Sequence, residues 1–192
     1  MQITVIGFSL DEIVLSCGGM LVNTIKKGNN VNLIIPNYKN VSNEPRNTKK
    51  LEKKFGITIN YLDEFDFSLV TQNNVKSIQK ILEKYATEKL VIPYNKSKKK
   101  ENRILGSSSI LAGRKIKNIM MYDLKNNSGF IPTIFYDIKN SYKIKNTLLY
   151  SLDKNKKSDF KKNIDTFNKN NKKYNLKIKL FEPFQSFRMV LN

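Results

Sequence analysis

Ile3-Thr4-Val5-Ile6-Gly7-Phe8-Ser9-Leu10-Asp11-Glu12-Ile13-Val14-Leu15-Ser16-Cys17-Gly18-Gly19-Met20-Leu21 is the stretch that decides the fold. Residues 2 to 6 are a β-branched apolar run, and Gly7 to Ser9 make a turn. Val14, Cys17, Leu21 and Ile25 then recur at helical spacing. Gly28-Asn29-Asn30 stops that helix, and Val31 to Pro36 supplies a second buried strand whose parallel pairing needs such a crossover. The unit is a right-handed βαβ.

The same alternation continues along the chain. It predicts a helix near 46 to 55 closed by Gly56, a strand at Ile57 to Tyr61, a helix near 72 to 86 and a strand at Leu90 to Pro93. A lysine-rich loop follows, Asn95 to Asn102, then a helix near 103 to 114 and a strand at Ile119 to Tyr122. Phe130 to Ile138 reads as a strand or extended arm, 141 to 153 as a helix, 158 to 173 as a very polar helix, and Leu176 to Phe181 as a final strand. The pattern predicts an α/β chain of one domain over residues 1 to 192: a Rossmann-like, doubly wound, mostly parallel sheet with helices on both faces. Its core spans 1 to 150, and the polar helix and last strand occupy 151 to 192. Loops 7 to 12, 36 to 46 and 94 to 102 follow strands one, two and four, so they converge on one ligand crevice.

The chain has 192 residues, 40% of them hydrophobic, enough for one core. No apolar stretch reaches the roughly 18 residues of a membrane span, and the amino terminus opens on a strand-like run. A cytoplasmic protein is expected. Cys17 is the only cysteine and histidine is absent, so the usual structural zinc sites cannot be built. The formal net charge of +19 would attract a polyanion such as nucleic acid. Only four of the 35 basic residues are arginine, however, and lysine lacks the planar fork that phosphate and base recognition favour. Compositional drift on solvated surfaces is therefore the preferred account of the charge, ahead of a polyanionic partner.

The segment Gly7 to Leu21 resembles the amino-terminal signature of the PIG-L/LmbE-like de-N-acetylases, through Gly7, Asp11, Val14, Leu15, Cys17, Gly18, Gly19 and Leu21. Arg46, Phe55-Gly56-Ile57, Leu90 to Pro93, Ala112-Gly113-Arg114, Pro132 to Ile138, Lys145 and Glu182-Pro183-Phe184 fall in family order. The resemblance implies a Rossmann-like domain that removes an N-acetyl group from an amino sugar, typically an N-acetylglucosamine conjugate, with a divalent metal, usually zinc. Carried over by position, the metal ligands become Ser9, Glu12 and Asn102, with Asp11 as general base and Lys99 where a histidine would stabilise the oxyanion. Arg46 and Asn102 become the substrate-binding candidates.

Two of those three ligands have changed chemistry. A serine hydroxyl and an asparagine amide hold zinc poorly, and Glu12 with Asp11 would make an oxygen-only site suited to weakly held magnesium or calcium. Zinc is not expected, nor any other cofactor, with magnesium or calcium left as a weak alternative. Each candidate also has a plain structural reading. Asp11 and Glu12 suit a helix amino terminus, Arg46 a first helical turn, Lys99 a solvated surface, and Asp66 a turn. Cys17, with no histidine to activate it, reads as core packing. Tyr61, Phe65, Phe67, Tyr94, Phe130, Phe135 and Tyr136 could stack on a sugar or fill the core. Three functions stay open: a degenerate deacetylase that binds amino sugars, with weak altered hydrolysis at most; an active deacetylase using a non-zinc metal on Asp11 and Glu12; and a basic polyanion-binding module or assembly subunit.

Overall fold

β1 (Gln2–Ile6) buries all but its first residue, and α1 (Leu10–Lys26) returns across it to β2 (Asn30–Pro36). These elements belong to a computed structural model that describes residues 1–36, 44–123, 129–152 and 180–189. The chain continues through α2 (Glu44–Phe55), β3 (Thr58–Leu62), α3 (Gln72–Lys84), β4 (Lys89–Pro93), α4 (Lys100–Ala112) and β5 (Asn118–Tyr122). It closes with β6 (Ile134–Asp137), α5 (Tyr142–Leu152) and β7 (Phe181–Arg188). The seven strands form one sheet in the order β3-β2-β1-β4-β5-β7-β6. β1 to β5 are parallel, whereas β7 lies antiparallel between β5 and β6. The predicted Rossmann-like α/β architecture is the one the chain adopts.

Alternation along the strands divides the apolar side chains between two layers, as a sheet covered on both faces requires. Val5, Leu33, Val91 and Met120 face α1, Leu51 of α2, and Leu148 and Leu149 of α5. Ile6, Ile34, Ile92 and Met121 face Ile78 and Leu82 of α3 and Leu105 of α4. The register pairs Val5 with both Leu33 and Val91, so the chain reverses its direction of winding at β1. That places the topological switch point between β1 and β4, at the amino ends of α1 and α4.

Several elements differ from the sequence reading. The last strand runs from Phe181 to Arg188 rather than ending at Phe181; of the predicted stretch only Leu180 and Phe181 are described, and the predicted helix at 158 to 173 lies outside the described residues. Pro183 and the polar Glu182, Gln185 and Ser186 interrupt the apolar run there. The strand tolerates them because Pro183 sits beside Phe135 on the short β6, near the sheet's edge. α4 starts at Lys100, so Lys100, Glu101 and Asn102 belong to a helix and not to the loop. α3 ends at Lys84, with Ala86 in the left-handed region at φ 46°. Among the described residues no helix is long and apolar enough to cross a membrane.

Candidate functional site

The site is assembled where β1 and β4 hand the chain to α1 and α4. Gly7, directly after β1, has no room for a side chain: an added Cβ would lie 2.4 Å from Ile13 Cγ1 and 2.8 Å from the Tyr122 hydroxyl. The Tyr122 hydroxyl donates to the Ile6 carbonyl at 3.1 Å, which fixes the end of β1 beneath the turn. Ser9 caps α1, its Oγ accepting from the Glu12 N–H at 3.3 Å. Glu12 is thereby turned inward and is only 6% exposed.

Glu12 meets two residues from the opposite face of the sheet. Asn102, in the first turn of α4, donates through Nδ2 to Glu12 Oε1 at 2.5 Å. Lys99, the residue before α4, places Nζ 3.7 Å from Glu12 Oε2 and 3.8 Å from the centre of the Phe8 ring. Burial pushes the Glu12 carboxyl above its ordinary value, opposed by Lys99 and Asn102 and reinforced by the charge of Asp123, which follows β5 at the same sheet edge. The site therefore sets a buried carboxyl beside an ammonium at the carboxyl edge of the sheet.

An aromatic wall adjoins this group. Phe8 packs edge-on against Phe67 at 5.4 Å, and Phe67 against Phe65 at 4.8 Å. The loop carrying these rings is tied down by buried Asn74, which accepts from the Asp66 N–H at 3.0 Å and donates to the Asp66 carbonyl at 2.7 Å. Asp66 itself accepts from the Ser68 N–H at 2.7 Å, and hydrogen bonds from the Ser68 hydroxyl and N–H lower its pKa, in keeping with a turn residue. Tyr94 packs on Phe130 and Phe135 on Phe181 instead of entering the Phe8 group.

Of the sequence-predicted residues, the structure brings together Ser9, Glu12, Lys99 and Asn102, and Asp11 precedes Glu12 in the first turn of α1. Arg46 falls in the first turn of α2, and its side chain lies outside the described residues, as does the loop 37–43. Cys17 is fully buried, and burial, followed by the charge of Glu182, drives its thiol pKa well up. Sequence reasoning missed Phe8, Asp123 and Asn74 as parts of the site.

It also missed the function of Glu182. From β7 its carboxylate accepts the Gly19 N–H at 2.7 Å and the Met20 N–H at 2.8 Å in the middle of α1, and Lys145 Nζ donates to the same Oε1 at 2.7 Å. A Cβ on Gly19 would stand 2.3 Å from Ile138 Cγ2 and 3.1 Å from Glu182 Oε1, so glycine leaves room for Ile138 and keeps the carboxylate uncrowded. This buried pair fixes the helix that carries Asp11 and Glu12. A cavity of about 180 Å³ lies at the opposite, amino edge of the sheet, lined by Leu82, Thr87, Arg114 and Ile116 among others. It contains none of the candidate residues, and ligands of open parallel sheets bind at the carboxyl edge.

The donor set does not fit a zinc centre. Ser9 Oγ is committed to the helix cap, Asn102 presents an N–H to Glu12 rather than an oxygen, and an ammonium faces the one carboxylate among the three positions. Among the described residues no cluster of three or more His, Cys, Asp or Glu side chains could hold a metal ion.

Solved structures share this fold. The conserved protein TT1542 from Thermus thermophilus superposes with a TM-score of 0.84 at 13% identity, covering 99% of this chain and 96% of that one. N,N'-diacetylchitobiose deacetylase from Pyrococcus horikoshii superposes at 0.78 and 14% identity, covering 97% and 84%. The chain has their fold. So does the 4-carboxy-2-hydroxymuconate hydratase of Pseudomonas putida, at 0.80 and 10% identity, covering 100% and 98%; one fold thus carries more than one chemistry. No protein-family model and no curated protein matches the sequence.

Proposed function

We propose that the chain is a degenerate homologue of the PIG-L/LmbE-like de-N-acetylases that binds an amino sugar or its conjugate over the switch point, with weak altered hydrolysis at most. The observation that carries this reading is the engagement of Glu12 by Lys99 and Asn102, which takes the one remaining strong metal ligand out of use. The fold shared with chitobiose deacetylase and with the teicoplanin deacetylases supports the ligand class. Phe8 and Phe67 offer a surface for a sugar face, and Asp11 and Asn102 supply polar groups for its hydroxyls and acetamide. Lys99 offers positive charge to an acyl oxygen. No step is routed through a metal.

The test is calorimetric titration of chelator-treated protein with N-acetylglucosamine and N,N'-diacetylchitobiose, alongside acetate release under added zinc, magnesium, manganese or calcium. Binding without turnover, weakened at least tenfold in Asn102→Ala, is expected. Metal-dependent turnover abolished by Asp11→Asn would replace this reading with that of an active deacetylase. The net charge of +19 favours a second reading, polyanion binding. In that case affinity for a single-stranded oligonucleotide would fall steeply with salt and ignore Asn102→Ala.

A further inference from the structure

We propose that the Lys99 ammonium is a resident cation: it occupies the place against Glu12 that a divalent ion would need, and removing it turns this corner into a divalent-cation site. Lys99 is held by its surroundings as a built part of the site. Its N–H donates to Ser97 Oγ at 3.3 Å, its carbonyl accepts from the Arg103 N–H at 3.1 Å, and the Arg103 guanidinium closes the turn on the Ser97 carbonyl at 2.8 Å. The ammonium then rests between the Phe8 ring and the Glu12 carboxylate.

Two features make this an electrostatic replacement instead of a surface contact. A cation directly before a helix is opposed by the helix dipole, so the ammonium stands at the amino end of α4 against the local field, and Glu12 supplies the compensation. In turn, a carboxylate buried as deeply as Glu12 needs a positive partner, and Lys99 is its ion-pair partner among the described residues.

The corner also holds spare oxygen. Asn102 Oδ1 is buried without a hydrogen-bond partner, next to Glu12, and buried Asp123, at the end of β5, is close enough for its charge to be felt by the same carboxylate. Oxygen donors of this kind suit a hard divalent ion once the ammonium is gone. With Lys99 in place the corner carries a fixed single positive charge that no chelator removes. Its side chain is 34% exposed and offers N–H groups to an acyl or carboxylate oxygen of a ligand. This inference does not depend on the ligand being a sugar, so a failed sugar titration leaves it standing.

The experiment is titration with manganese alone, following free Mn²⁺ by electron paramagnetic resonance, on wild type, Lys99→Met, Lys99→Arg and Lys99→Met/Glu12→Gln. One site per chain, bound at least tenfold more tightly than by wild type, is expected in Lys99→Met only, and lost in the double variant. A stoichiometric wild-type site removed by Glu12→Gln would overturn the proposal, as would a Lys99→Met chain that folds and binds no better than wild type. Should Lys99→Met not fold, reductively ¹³C-methylated wild type decides, with the Lys99 signal identified by its absence in Lys99→Arg. A Lys99 signal displaced by Glu12→Gln and left sharp by excess manganese supports the resident cation. A signal broadened by manganese ahead of the other lysines, or one unmoved by Glu12→Gln, refutes it.

Discussion

Replacing Lys145 by methionine should be among the most damaging single changes outside the apolar core. The lysine ammonium lies 2.7 Å from Glu182 Oε1, with the two side chains only 8% and 1% exposed. Methionine keeps the aliphatic stem that packs beside Gly18 but leaves the carboxylate buried without its counter-charge. Breaking a buried pair by removing one partner costs about 3–5 kcal/mol. The N–H groups of Gly19 and Met20 remain on the carboxylate, which puts the expected loss near the lower end, about 3 kcal/mol. For a chain of this size that is a fall in Tm of roughly 6–12 °C. Urea unfolding followed by circular dichroism measures it. Adding Glu182→Gln removes the stranded charge, so the double variant should recover about 1.5 kcal/mol or more relative to the sum of the two single losses. A single-variant loss below about 1 kcal/mol, or strict additivity, would refute the view that the two charges depend on each other.

Three further outcomes can be checked on the same instrument. Gly19→Ala forces a methyl group to 2.3 Å from Ile138 Cγ2 and should cost about 3 kcal/mol, seen as a shifted urea midpoint; a loss under about 1 kcal/mol would mean the helix and the turn after β6 yield freely. Because burial holds the Glu12 carboxyl above its ordinary value, the folded chain keeps that proton more tightly than the unfolded one. The stability this gives is full in acid below the unfolded value and is lost as pH rises through the folded value, so Glu12→Gln should gain on wild type with rising pH across that window, and the opposite slope would contradict the burial effect. Thr71 and Ser9 cap α3 and α1 with contacts of 3.0 and 3.3 Å; Thr71→Ala should lose about 1 kcal/mol and Ser9→Ala less, and a reversed order in urea midpoints would show that the longer contact is the stronger.

The sequence patterns that carried the fold were those with a single physical meaning. β1, β2, β4 and β5 are short apolar runs buried on both faces, and α1 follows a helical period that Gly28 and Asn29 end, so each was legible from local order alone. β7 was misplaced because its residues answer to partners far away: buried Glu182 has its charge met by α1 and by Lys145, which no local pattern announces. The site was half legible. Asp11 and Glu12 announced themselves at the head of a helix, and Asn102 by position in a resemblance. That Glu12 would be paired across the sheet depended on α4 beginning three residues earlier than its apolar pattern suggested. Nothing local in Phe8 or Asp123 marks them as neighbours of that carboxylate; the switch in strand order brings them there.

β7 lies between β5 and β6, yet it follows both in the chain. During synthesis β6 therefore emerges with its sheet partner still untranslated, and α1 waits for the carboxylate that reaches its middle. Contacts this distant in sequence are slow to form because the intervening segment must first be closed into a loop. The parallel half, β1 to β5, can assemble as the ribosome delivers it, but α1, the helix that carries Glu12, receives the Glu182 carboxylate at its middle last. A release from the ribosome that stops short of residue 181 would leave a half-sheet with an open flank, a ready substrate for proteases and chaperones.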